Sequence, residues 1–111
     1  MANRLTDEEF EAIQAKFPNA RLRRVLTAAG EIVLRVPTTT EENVFQSSYF
    51  GNMPGMHPGM AWRNLLVTVT VHPEPPVFQQ WLRDYPALNM SNDVIRALKV
   101  LRGEVLEEEG K

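Results

Sequence analysis

The chain contains no cysteine. That absence excludes a disulfide framework, a thiolate nucleophile and every Cys-based zinc or iron–sulfur site, and it favours a reducing compartment. Histidine is scarce: His57 and His72 are the two in 111 residues, and each precedes a proline in an expected loop. Neither has a second residue at a catalytic or metal-ligand spacing, so both read as ordinary loop residues and no enzymatic activity is expected. Positive charge is not in excess either. Twelve Lys and Arg face fourteen Asp and Glu, for a net charge of -2 and a pI near 5.7. A nucleic-acid partner would need local clustering, and only Arg21, Arg23 and Arg24 cluster closely. Strand alternation sets Arg21 and Arg23 on one face and Arg24 on the other, which reads as a solvated strand face.

Long apolar runs are also missing. The opening nine residues, Met1 to Glu9, lack the apolar core of a secretory signal, and the longest apolar-rich stretch, Asn64 to Val71, is too short and threonine-rich to span a bilayer. The expectation is a cytoplasmic protein with no membrane partner. Gly51, Gly55 and Gly59 are spaced by four with prolines between them, unlike a phosphate-cradling loop, which needs consecutive free amides ahead of a helix. Carboxylates concentrate in expected first turns of helices and in an acidic tail, where capping and solvation account for them.

What remains is a near-average globular composition, 43% hydrophobic and 23% charged, with a mean hydropathy of -0.29. One domain over residues 1–111 is expected, built on a single core. Thr6 followed by Glu9 forms a capping box that opens a helix over 7–17, with Phe10, Ile13 and Phe17 at helical spacing and Pro18 closing it. Residues 20–27 and 31–36 read as a β-hairpin turning through Ala28-Ala29-Gly30, and Pro37 ends its second strand. Thr38 to Thr40 ahead of Glu41 and Glu42 offer two capping-box registers for a helix carrying Val44, Phe45 and Tyr49.

Trp62, Leu65, Leu66 and Val69 recur at i, i+3, i+4 and i+7, while Val67 to Val71 alternates as a strand would. The spacing favours a helix through this stretch. Pro76 suits the first position of the next helix, which carries Phe78, Trp81, Leu82 and Tyr85 and stops at Pro86. A last amphipathic helix enters near Ser91 or Asn92 and carries Val94, Ile95, Leu98, Leu101 and Val105, ahead of a frayed acidic tail over 106–111. The fold class is therefore α+β, one N-terminal hairpin with four to five short helices. Its expected core is Phe10, Ile13, Phe17, Trp62, Leu66, Phe78, Trp81, Leu82, Leu98 and Leu101.

Residues 51–60 form an expected flexible loop rich in Gly, Pro and Met. Its run from Met53 to Met60 spaces three thioethers and an imidazole by three or four. Soft donors of this kind can bind Cu(I), yet such sites belong to exported copper proteins, so neither metal nor cofactor is expected. With Tyr49 and Phe50 just before it, the segment presents Tyr49, Phe50, Met53, Met56 and Met60 as five large apolar side chains in a stretch hard to fold regularly. These five are the candidate contacts to a protein partner.

The opening Leu5-Thr6-Asp7-Glu8-Glu9, the passage Glu31-Ile32-Val33-Leu34-Arg35-Val36-Pro37-Thr38, and the run from Leu65-Leu66 through His72-Pro73 to Trp81-Leu82-Arg83-Asp84-Tyr85-Pro86-Ala87-Leu88 together resemble the small tail assembly chaperones of long-tailed bacteriophages. The resemblance implies a non-enzymatic protein of the infected bacterium's cytoplasm that binds the tape measure protein, or tail tube subunits, and keeps them soluble until the tail polymerises. The loop over 51–60 departs from that pattern, so no contact there is carried over from it. Two other readings fit the residues: a small phage or bacterial inhibitor or adaptor that caps one specific target through a rigid aromatic patch, and a metal-binding protein built on the Met/His loop.

Overall fold

A computed structural model describes residues 4–51 and 58–106 of the chain. The elements run α1 (Asp7–Lys16), β1 (Leu22–Leu26), β2 (Glu31–Arg35), α2 (Thr39–Tyr49), α3 (Pro58–Val69), β3 (Thr70–His72), α4 (Pro75–Asp84), a 3₁₀ turn (Leu88–Met90) and α5 (Asn92–Leu101). The fold is α+β, with a three-stranded antiparallel sheet in the order β1-β2-β3.

Local chemistry sets most boundaries. Thr6 and Glu9 close a reciprocal capping box at α1, and Thr38 and Glu41 close another at α2, the first of the two registers available there. Each satisfies two amides that the helix itself leaves unpaired. Pro75 and Pro76 both occupy the first turn of α4, one residue earlier than the expected start at Pro76, because neither needs an amide there. At the end of α5, Gly103 takes φ +80. Its N–H donates to the Val100 carbonyl at 3.0 Å and the Glu104 N–H to the Lys99 carbonyl at 2.9 Å, a Schellman closure that stops the helix at Leu101 and leaves Val105 beyond it.

The expected helix over Trp62 to Val71 divides in two. The apolar 3,4,7 spacing holds to Val69, and Thr70–His72 then pairs with Val33 and Leu34 of β2 as a third strand. Both sequence signals were real and met at Thr70, whose hydroxyl donates to the Leu66 carbonyl at 2.6 Å as the helix ends. The long loop expected over 51–60 is also shorter than supposed. α3 begins at Pro58, so Pro58, Gly59 and Met60 are helical, with proline in the first turn where its missing amide costs nothing. Met53, Met56 and the rest of 52–57 lie outside the described residues, as does the tail beyond Leu106.

The hairpin gives the sheet two different faces. Val25, Ile32 and Leu34 point to one side and join Leu66, Val69, Phe78, Leu82, Val94 and Leu98 in one hydrophobic cluster under α3, α4 and α5. Each fully buried side chain of this kind contributes about 1.5–3 kcal/mol. Val33, Glu31 and Arg24 point to the opposite side, where α1 lies. Arg24 donates to both Glu31 carboxylate oxygens and to the Leu5 carbonyl, the Leu5 N–H donates to Glu31 at 2.7 Å, and the Arg24 guanidinium stands 4.8 Å from the Phe10 ring centre.

That arrangement corrects the expected core. Trp62, Leu66, Phe78, Leu82, Leu98 and Leu101 are buried, but α1 has no buried residue, and Phe10, Ile13 and Phe17 are only half-buried. Periodicity identified the inward face of α1 correctly. It could not reveal that α1 is an outer layer on the back of the sheet, beside the Arg24–Glu31 clamp that fastens Leu5 just ahead of it. Trp81 is half-buried too, packed on the edge of the cluster against the hairpin turn. Tyr85 is exposed.

The ion pairs that fasten the layers predict the acid limit of the fold. Two parallel bonds of 2.8 Å from the Arg35 guanidinium, assisted by the capping amide of Thr38, hold the Glu41 carboxyl down from 4.5 to about 2. Arg24 lowers Glu31 and Arg102 lowers Glu42 in the same sense. A carboxyl whose folded value lies below its unfolded value adds stability that is complete above the unfolded value and is lost as pH falls toward the folded one. Stability is therefore expected to stay flat from pH 7 to about 5 and to decline steeply between about pH 4.5 and 2. Glu41→Gln should cost on the order of 2 kcal/mol at pH 7 and flatten that decline, as read by thermal melts across pH. An acid limb unchanged in the variant would remove Glu41 from this role.

Candidate functional site

Among the described residues a cavity of about 660 Å³ opens between the end of α2, the start of α3, the 3₁₀ turn and α5. Phe45, Gln46, Tyr49 and Phe50 supply one wall, Pro58, Gly59 and Trp62 a second, and Met90, Ile95, Lys99 and Arg102 a third. The helical spacing of Phe45 and Tyr49 brings both rings to one side of α2. Phe45 is buried, and its ring centre lies 5.2 Å from Tyr49 and 5.9 Å from Trp62, the latter edge-on. Phe50 continues the row, 5.3 Å from Tyr49 and nearly perpendicular to it. Pairs in these geometries add about 0.5–1.5 kcal/mol beyond their buried area, so the wall is stiff. Trp62 is fixed further by its indole N–H, which donates to the Asn89 carbonyl at 3.3 Å.

Arg102 locks the opposite wall. Because the Gly103 turn ends α5 there, its guanidinium lies 4.6 Å from the Phe45 ring centre and 6.0 Å from that of Trp62. It also donates to both oxygens of Glu42 at 2.8 and 2.7 Å and to Glu104. Glu42 raises the Arg102 pKa most, with Glu104 adding to it, while Arg102 pulls the Glu42 carboxyl below its ordinary range. The cation is thus committed to structure, and the remaining charged pair at the rim is Lys99 with Glu104 at 3.6 Å. Among the described residues no three His, Asp or Glu side chains gather as a metal site would require. The groove's chemistry is that of an apolar cleft with a narrow charged rim.

Its apolar floor reaches the surface. Phe50 is 71% exposed, Met90 57%, Met60 48% and Tyr49 40%. Of the five residues the sequence singles out for partner contact, Tyr49 and Phe50 line the groove, Met60 is exposed on the first turn of α3 without lining it, and Met53 and Met56 lie outside the described residues. Sequence reasoning missed Met90, Ile95, Lys99 and Arg102. The signal that could have placed Arg102 is Gly103, the αL residue that ends α5 one residue after it. Met90 carries no periodic signal, because the three-residue 3₁₀ turn that presents it follows no amphipathic pattern.

No protein-family model matches this chain, and no curated protein or solved structure is significantly similar to it. The function must therefore be argued from the groove and the sequence. No helix of the described residues is long and apolar enough to cross a membrane.

Proposed function

We propose that this protein is a non-enzymatic binding protein that receives an apolar helical segment of a larger protein in the groove between α2, α3 and α5. The observation that carries the reading is the pairing of a stiff, largely buried aromatic wall with exposed apolar groups at its mouth, Phe50 and Met90 above all. A cleft with this apolar lining accepts apolar anchors spaced by three or four residues, the contact surface of an amphipathic helix. A methionine at the rim, Met90, adapts to irregular anchors, which suits repeated contacts along a long client.

The resemblance to tail assembly chaperones supplies the client. On that reading the protein acts in the host bacterial cytoplasm, holding the tape measure protein or tail tube subunits soluble until assembly. The aromatic row of Trp62, Phe45, Tyr49 and Phe50 also favours a second reading, a cap on one specific target, since rigid aromatic anchors suit a single tight complex.

Co-expression with the tape measure protein of the same genome separates these ideas. The native chain should raise the client's soluble fraction, and a Phe50→Ser, Met90→Ser double variant should lose that effect while its own stability changes by no more than about 0.5 kcal/mol per site, as exposed substitutions do. Light scattering on the purified complex then distinguishes several copies per client, the chaperone reading, from a one-to-one cap. An undiminished effect in the double variant would remove the groove from the function.

A further inference from the structure

Different chemistry holds the helices on the two faces of the sheet. Against Val25, Ile32 and Leu34, α4 and α5 bury Phe78, Leu82, Val94 and Leu98 in the hydrophobic cluster. α1 adds no side chain to that cluster and has no buried residue of its own. The face it lies on carries Leu22, Arg24 and Leu26 of β1 opposite Arg35, Val33 and Glu31 of β2. Of its apolar members Val33 is fully buried, while Leu22 is half-buried and Leu26 exposed. Hydrophobic burial scales with the apolar area removed from water, so it holds α1 far less firmly than it holds α4 or α5.

The polar contacts of α1 with the sheet converge on one pair. Arg24 donates to the Leu5 carbonyl at 2.9 Å, stands 3.7 Å from the Asp7 carboxylate and lies 4.8 Å from the Phe10 ring centre. One guanidinium thus meets the residue ahead of α1, its first residue and the next turn. Glu31, 5% exposed, aims that guanidinium by accepting from it at both carboxylate oxygens, and accepts from the Leu5 N–H at 2.7 Å as well. Loss of the Glu31 charge would free Arg24 and weaken the hold on Leu5 in one step.

We propose that α1, with Leu5, is a flap that opens as a unit while the cluster on the other face of the sheet stays folded, and that the Arg24–Glu31 pair is its latch. Opening uncovers Val33 and the inner sides of Phe10, Ile13 and Phe17, and it breaks no contact within the cluster. Its free energy therefore lies below that of global unfolding. No residue of α1 lines the groove, so the flap stands whether or not the groove binds a helix.

Native-state amide exchange of the full chain, followed by NMR at rising low concentrations of urea, tests both parts. The amides from Phe10 to Lys16 should share one protection factor, about tenfold or more below those of Ile32, Leu34 and Leu98, and depend weakly on urea where the core amides depend steeply. Val94→Ala weakens the cluster whether the flap is closed or open, so it should lower core protection and leave α1 unchanged. Glu31→Gln weakens the closed state alone, so it should lower α1 protection about tenfold or more, with the core falling by the same factor. Protection graded from the middle of α1 to its ends would show fraying and overturn the flap. Amides of α1 that match the core in protection and in urea dependence would make the fold one cooperative unit and overturn it equally, even if Val94→Ala fails to fold. An α1 protection untouched by Glu31→Gln would remove the latch.

Discussion

Phe78→Ala is expected to destabilise the fold by about 3–5 kcal/mol, the range found when a large buried aromatic side chain is truncated and its cavity cannot fully collapse. Phe78 is 1% exposed and belongs to the cluster that joins α4 to the sheet face of Ile32 and Leu34 and to α5 through Val94 and Leu98. Those neighbours come from two separate elements, β2 and α5, so no single shift can fill the space. The comparison that gives the number meaning is Phe50→Ala, which removes the same ring from an exposed site and should change stability by less than about 0.5 kcal/mol. Urea denaturation of the two variants decides the matter. Equal losses would mean that Phe50 also packs inward, and the groove would lose its principal exposed anchor.

The second large effect is expected at Gly30. Its φ of +154 is a conformation that a residue with a side chain rarely adopts, and a Cβ built there would stand 2.7 Å from an indole carbon of Trp81. Two penalties combine in Gly30→Ala: backbone strain on the order of 1–3 kcal/mol and a collision that pushes a half-buried indole off the cluster. A total loss of about 2–4 kcal/mol is expected. Trp81→Leu alone should cost less than the truncation of a buried aromatic, because the indole is only half-buried. The double variant should then lose less than the sum of the two single changes, since the shorter side chain relieves the collision but not the strain. Strict additivity in denaturation would show that the close approach has no energetic consequence.

The parts of this fold legible in the sequence are those decided within a few residues. Capping boxes at Thr6 and Thr38, the proline stops and the glycine-closed hairpin depend on the chemistry of a few adjacent residues, so spacing alone finds them. What was not legible depends on elements distant in the chain. Thr70 to His72 became a strand because β2 offered a free edge beside it. Phe10, Ile13 and Phe17 are half-buried because α1 is an outer layer on the back of the hairpin, with no buried residue of its own. The same division holds for the groove. Tyr49 and Phe50 could be singled out as large apolar groups next to a glycine- and proline-rich stretch, whereas Met90 and Arg102 joined them only through the tertiary placement of α5 against α2.

The central claim is that the groove of Phe45, Tyr49, Phe50, Trp62, Met90 and Arg102 is where a partner helix lies. Hydrogen–deuterium exchange on the native chain, alone and in complex with the tape measure protein, tests it most directly. Protection is predicted at the end of α2, the first turns of α3, the 3₁₀ turn at Met90 and the last turn of α5, with α1 and the outer edge of β1 unchanged by that helix. Protection confined to other surfaces, or no change in these four segments in a complex that demonstrably forms, would contradict the account.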